Sequence, residues 1–229
     1  MKYFLLLILI FTTSFSDIKI LERSYAISYG IFSNLGISNT KLIVDTDNKT
    51  YVATIEAKTV GFANFLSNNR FEVYESKGEI VDGFFVPDRF RKFSATNSKS
   101  RESIYLFNHS KKSILLIKNR KSKNEKSSNS EEILEYYSNN DILSLFFNLK
   151  DILPTLNLNE EVEFIGVGND KNKGITNILK LGDNRFKVYL NQPIFSSSRG
   201  ELLIEQDFDG LCKTAILKDV LLFGDIVAK

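Results

Sequence analysis

Alternation of apolar and polar residues with a period of two runs through most of the chain. In residues 24–31, Tyr25, Ile27, Tyr29 and Ile31 fall on one side, and Ser24, Ala26, Ser28 and Gly30 on the other. Successive side chains of a strand point to opposite faces, so this segment reads as a strand with one face covered and one in water. Tyr51, Ala53, Ile55 and Ala57 alternate with Thr54, Glu56 and Lys58 in the same way. So do Phe71 and Val73 against Glu72, and Phe186, Val188 and Leu190 against Lys187 and Asn191. Between these runs lie Asp47-Asn48, Asp82-Gly83, Asn108-His109-Ser110, Gly182-Asp183-Asn184 and Asp209-Gly210. These are turn sequences that join neighbouring antiparallel strands. They leave no room for crossover helices, and an antiparallel meander is predicted.

Other runs are apolar in both phases: residues 83–86, 104–107 and 114–117. Strands of that kind need cover on both faces. One helix is available to provide it. Ile142, Leu145, Phe146 and Leu149 recur at i, i+3, i+4 and i+7, with Leu143 and Phe147 widening the stripe, which is the pattern of an amphipathic helix. Its predicted span is 140–149, with Asn140 as N-cap and Pro154 as the stop. Residues 119–132 are polar, charged and aperiodic, and read as a mobile solvated loop. That loop divides a first meander (17–118) from a second strand set (161–228). The predicted fold is mainly β: one domain over 17–229, an antiparallel meander forming a curved sheet or open barrel, with the helix packed against it. The pattern leaves open whether the two strand sets form one sheet or two lobes.

The first sixteen residues differ from the rest. Lys2 precedes the unbroken apolar run Tyr3–Phe11, and Ser14 and Ser16 follow it. A short positive region, an apolar segment and small residues at −3 and −1 make up a bacterial-type signal peptide. Cleavage is predicted after Ser16, and the periplasm is the expected location. The run is about half of the roughly 20 residues a spanning helix needs, so the mature form is expected to have no transmembrane segment. The one cysteine, Cys212, is too far along the chain to carry a lipid and has no partner for an internal disulfide. It reads as a small buried apolar residue. The formal net charge is +2, with 25% charged and 43% hydrophobic residues. That balance is ordinary for a globular domain and lacks the basic excess of a nucleic-acid binder. Oligomeric state is not legible in the chain.

Little in the sequence points to catalysis. The one histidine, His109, sits in a polar turn and reads as solvated. With one His and one Cys, a zinc site of the usual type is excluded. No Gly-x-Ser-x-Gly turn presents a serine to His109. Gly166-Val167-Gly168 has no third glycine and no following helix, and reads as a turn or bulge rather than a phosphate cradle. The Asp45/Asp47 and Asp170/Asp183 turns lack the spacing of a calcium loop. No carboxylate pair lies on an apolar strand face, as glycoside hydrolysis would favour. The expectation is a non-enzyme with no catalytic, metal or cofactor residues. Aromatics are abundant, at nineteen Phe and nine Tyr with no Trp. Tyr25, Tyr29, Phe62, Phe85, Phe90 and Phe146 are candidate lining of an apolar pocket, with Phe65, Phe84 and Phe147 as further members. The same residues would also make a plain Phe-rich core.

Several of these segments together resemble a known family. Tyr25-x-Ile27-x-Tyr29-Gly30-Ile31, Gly36, Tyr51-x-Ala53-x-Ile55-x-Ala57, Thr59-Val60-Gly61 and Gly83–Phe90 occur in that order. They are followed by Asp141-Ile142-Leu143-Ser144, then by Asp209-Gly210 through Lys218-Asp219-Val220 and Gly224. In this order they resemble the exported bacterial proteins of domain-of-unknown-function family 3108. The chain departs from that pattern in a shorter second half without a tryptophan near its end. The resemblance implies periplasmic residence and a mainly antiparallel β fold, and brings no activity or catalytic residues. Two functions follow as expectations: binding or carrying an apolar or amphipathic envelope component, or acting as an envelope assembly or protein-interaction module with a filled core.

Overall fold

The computed structural model describes residues 17–123, 126–190, 200–220 and 224–229. The expected signal peptide lies outside the described residues, as do the side chains of Phe62 and Leu190.

Eight strands follow one another in the first part of the chain. They are β1 (Ile18–Tyr29), β2 (Phe32–Asp45), β3 (Thr50–Thr59), β4 (Phe71–Val81), β5 (Phe84–Ala95), β6 (Lys99–Asn108), β7 (Ser113–Ser122) and β8 (Ser128–Ile133). A short helix, α1 (Gly61–Leu66), interrupts the meander between β3 and β4, and α2 (Ile142–Ile152) follows β8. Six more strands complete the chain: β9 (Glu161–Ile165), β10 (Ile175–Lys180), β11 (Arg185–Leu190), β12 (Glu201–Gln206), β13 (Cys212–Val220) and β14 (Gly224–Ala228). The hairpin turns behave as their sequences demand. At Asp82-Gly83, for example, both residues have positive φ (52° and 87°), as a two-residue type I′ connection requires.

Among the described residues, all fourteen strands form one open antiparallel sheet in the order β8-β7-β6-β5-β4-β3-β2-β1-β14-β13-β12-β11-β10-β9. The first and last strands of the chain meet in the middle, where β1 pairs with β14 from Ile27↔Ala228 to Tyr29↔Ile226. The two strand sets are thus two arms of a single sheet. In the strand order β5 and β11 are eight positions apart, about 40 Å along a flat sheet at the usual strand spacing. A helix is only about 10–12 Å across. Yet Phe147 of α2 packs in the core that contains Phe85 and Phe90 of β5, while Leu145 and Leu149 pack in the core that contains Phe186 of β11. The sheet must therefore curve around the helix.

A capping box starts α2. The Asp141 carboxylate accepts from the amides of Leu143 (2.7 Å) and Ser144 (2.9 Å), and the Ser144 hydroxyl accepts from the Asp141 amide. The Asp-x-x-Ser of the sequence is this reciprocal cap. Asp141, rather than Asn140, is thus the N-cap, because Asn140 is engaged elsewhere: its carbonyl accepts from the Val167 amide and its side chain from Asn148. α2 runs past the predicted end at Leu149 to Ile152 and stops before Pro154. Pro154 sits in the first turn of a 3-10 segment, Leu153–Thr155, where its missing amide costs nothing.

Residues 119–132 also differ from the expected loop. β7 runs through Ser122, and β8 pairs with it from Leu115↔Ile133 to Arg120↔Ser128. The segment is polar because β8 is the outermost strand of its arm, with almost every residue exposed. Edge strands carry charge on both faces to discourage further pairing, which erases the period-two signal.

Candidate ligand-binding cavity

The two arms are filled differently. Beneath β2–β7, the rings of Tyr51, Phe85, Phe90, Tyr105 and Phe147 interlock with Leu42, Ile114 and Leu116. Tyr51 and Phe85 have ring centroids 4.6 Å apart, and Phe90 and Tyr105 5.7 Å. Aromatic contacts of this geometry fill the concave face. Beneath β10–β12 the inward residues are Ile178, Phe186, Val188, Leu202 and Ile204, mostly aliphatic, and the strands are short. Here Leu145, Phe146 and Leu149 do not fill the space. A cavity of about 390 Å³ remains, continuing to Ile142 and to the β9–β10 loop at Gly166, Gly168 and Gly174.

The glycines of that loop permit a close approach. Gly168 has φ 145°, and a Cβ there would sit 2.9 Å from Cε1 of Phe90. The loop thereby reaches across from the second arm to the first. It is tied there by the Tyr105 hydroxyl donating to the Asp170 carbonyl and by Tyr136 donating to that of Asn172. A main-chain bridge between Asp141 and Val167 fixes the same loop to the start of α2.

The cavity's polar groups lie near its mouth, where Ile142 is 41% exposed. Tyr74 of β4 and Lys92 of β5 are cross-strand partners there. The Lys92 Nζ lies 6.0 Å from the Tyr74 ring centroid and 3.5 Å from the Gly168 carbonyl oxygen. Among the described residues, no carboxylate is in ion-pair range of Lys92. The Tyr74 hydroxyl donates to Glu72, and burial pushes that phenol well above its ordinary range, so it stays neutral. The walls are apolar and the mouth carries one cation. Apolar cavities of even about 150 Å³ stay dry and take up apolar ligands, and small-molecule sites begin at about 300 Å³. A larger hollow of about 720 Å³ on the outer face, around Arg23, Glu56, Glu75 and Arg91, is walled by charged groups instead.

Of the aromatic residues read from the sequence as pocket lining, Phe146 borders this cavity. Phe85 and Phe90 are packed in the filled arm. Tyr25 and Tyr29 lie near the junction of the arms, where their hydroxyls donate to the carbonyls of Cys212 (2.6 Å) and Val220 (2.7 Å). The Phe62 side chain lies outside the described residues, and Phe65 is 82% exposed. The residues that sequence reasoning missed are the aliphatic wall, Tyr74, Phe186 and Lys92. Lys92 shows itself only through the register that sets it beside Tyr74.

Other groups that drew attention in the sequence have structural roles. His109 is not free in solvent: Nδ1 lies 2.6 Å from the Tyr137 hydroxyl, Nε2 lies 2.9 Å from the Pro87 carbonyl, and the ring stacks on Phe107. Cys212 is partly buried, and burial pushes its thiol up to about 11, so it stays protonated and unreactive. The fully buried Asp141 ends a relay in which Tyr51 donates to Ser76 (2.7 Å) and Ser76 to Asp141 (2.5 Å). Burial pushes the Asp141 carboxyl up to about 6, although Ser76 and the amides of Ser144 and Leu143 pull it down. This relay fastens the helix start to β3 and β4. Among the described residues, no group of three or more His, Cys, Asp or Glu is placed to hold a metal ion, and no helix is long and apolar enough to cross a membrane.

Fold and cavity together define a class: an open antiparallel sheet wrapped around one capped helix, filled on one side of the helix and hollow on the other. The chain matches the family described as protein of unknown function (DUF3108) over residues 24–187, and it belongs to that family. The matched span includes the filled arm, α2 and the β9–β10 loop. No curated protein and no solved structure matches the chain.

Proposed function

We propose that this is a non-enzymatic periplasmic protein that holds the apolar part of an amphipathic envelope component in the cavity beside α2. The observation that carries this reading is the contrast at the cavity itself: about 390 Å³ walled by Leu145, Phe146, Ile178, Val188, Leu202 and Ile204, with Lys92 at the mouth. Apolar walls reward burial of hydrocarbon. Among the described residues Lys92 has no carboxylate in ion-pair range, and such a cation favours a ligand whose polar end is anionic. The signal-peptide pattern at residues 1–16 supports the compartment. The competing reading, an assembly module with a filled core, has support from the first arm alone.

Native mass spectrometry of protein purified without detergent tests the proposal. The expected spectrum contains a population heavier than the polypeptide by one small amphiphile, which is lost when the cavity is narrowed by Val188→Phe. Polypeptide mass alone, together with no uptake of an added medium-chain carboxylate, would overturn it.

A further inference from the structure

The strand register sorts the turns of the sheet into two rims. One carries Asp82-Gly83, Asp209-Gly210 and Gly182. The other carries the end of β1, the β5–β6 turn, α1, the start of β10 and the mouth of the cavity. This second rim has an unusual surface. Arg101 of β6 and Arg120 of β7 are direct cross-strand partners, both exposed. Like charges placed opposite one another destabilise a sheet unless something neutralises them. Ser94 of β5 is opposite Arg101, two residues along from Lys92 on the same face, so the basic strip continues to the cavity mouth. Lys99, Lys121 and Lys123 are exposed on the same rim. Among the described residues, none of these five side chains has a carboxylate in ion-pair range. Among the described residues, the nearby acids Glu72, Glu102, Glu132 and Glu201 are engaged with Arg70, Arg91, Lys118 and Lys187. Asp170 is the remaining exposed acid of the β9–β10 loop, and Lys171 and Lys173 accompany it.

Large apolar side chains stand among these cations. Phe65 and Leu66 at the end of α1 are 82% and 68% exposed, and Ile31 and Phe32 at the β1–β2 turn are 94% and 49% exposed. Leu66 shares a shallow hollow with Ser94, Lys99 and Arg101. The α1 loop is held against the β5–β6 turn by the Asn97 amide donating to the Asn68 carbonyl. A soluble polyanion would match the charges but leave the apolar groups in water. A lipid surface satisfies both, since aromatic and aliphatic side chains enter the interfacial region while Lys and Arg meet anionic headgroups.

We infer that this rim docks on an anionic lipid bilayer, presenting the cavity mouth to the membrane. Docking and cavity occupancy are separate properties: either could hold without the other.

Flotation of protein expressed from the full 229-residue sequence tests the inference. The probes are phosphatidylcholine vesicles and vesicles in which about a third of the lipid is phosphatidylglycerol. At roughly 1 kcal/mol per basic residue near an anionic surface, wild type should partition about ten-fold or more in favour of the anionic vesicles, and added salt should weaken this. Arg101→Glu with Arg120→Glu should abolish the preference. Phe65→Ser with Leu66→Ser should weaken binding at high salt, where charge is screened. Lys111→Glu with Lys112→Glu, at the opposite rim, should change neither. Circular dichroism of each variant keeps the reading independent of misfolding. Equal partitioning to both vesicles would overturn the inference, as would an unchanged preference in the double-arginine variant. Binding of a single-stranded oligonucleotide without binding of anionic vesicles would also overturn it.

Discussion

The two arms of the sheet are built on opposite sides of the same helix, yet one is packed with interlocked rings and the other keeps a cavity beside its core. In the first arm, Tyr51, Phe90, Tyr105 and Phe147 are 2% exposed or less and interlock as rings. In the second, Ile178, Phe186, Val188 and Ile204 pack with Leu145 and Leu149 of the helix, and these residues together with Leu202 border the cavity. The contrast teaches that α2 is more than a plug. It is anchored into the solid arm by its cap and by Phe147, and that anchorage lets its other side border empty space. Asn148 adds to the anchor, accepting from the Phe85 amide (2.8 Å) and donating to the Phe85 carbonyl (3.0 Å). A cavity of this size would otherwise invite collapse.

The sharpest way to break the comparison uses two adjacent helix residues. Phe147→Ala removes a ring that is 1% exposed within the filled arm, and should cost about 3–5 kcal/mol. Phe146→Ala removes a ring that already faces the cavity, and should cost about 2 kcal/mol or less, because fewer partner atoms are lost. Chemical denaturation of the two variants checks this; equal losses would deny that the arms differ.

Next in size is the anchor itself. Asp141→Ala deletes the helix cap, worth about 0.5–2 kcal/mol, and orphans the buried Ser76 hydroxyl, worth about 1–3 kcal/mol more. The pH dependence has a defined sign. The Asp141 carboxyl is raised from 3.8 to about 6 in the fold, so between those values the native state binds more protons than the unfolded chain. Stability contributed by this group is therefore greatest below pH 3.8 and is lost as pH rises through about 6. The denaturation midpoint of wild type minus that of Asp141→Asn should fall across that window. A difference that rises with pH would contradict the burial of the carboxyl.

A smaller effect distinguishes added volume in the two arms. Ala53 in the filled arm is fully buried, and Ala53→Leu should cost about 1–3 kcal/mol through overpacking. Val188→Phe grows into the cavity and should change stability by about 1 kcal/mol or less in either direction. Thermal unfolding of the pair checks this.

These differences explain how far the sequence could be read. The helix was legible because Ile142, Leu145, Phe146 and Leu149 repeat at helical spacing, and most strands because polar residues alternate with apolar ones on their wet face. The antiparallel meander followed from the short turns, whereas the choice between a curved sheet and an open barrel did not. The β8 strand was hidden because an edge strand has no apolar face to alternate. The pairing of β1 with β14 was hidden because it joins the ends of the chain and leaves no local mark. The cavity was missed for a different reason. Aromatic richness marks where space is filled, so the list drawn from Phe and Tyr led mainly to the solid arm. The cavity is bordered by aliphatic side chains together with Tyr74, Phe146 and Phe186, and only the three-dimensional register reveals which residues those are.

Calorimetric titration of a medium-chain carboxylate into wild type and into Val188→Phe asks most directly whether the hollow arm is a binding site. Saturable one-to-one binding by wild type, weakened about ten-fold or more by Val188→Phe at nearly unchanged stability, is the predicted result. Absence of binding to wild type, or equal binding by both proteins, would contradict it.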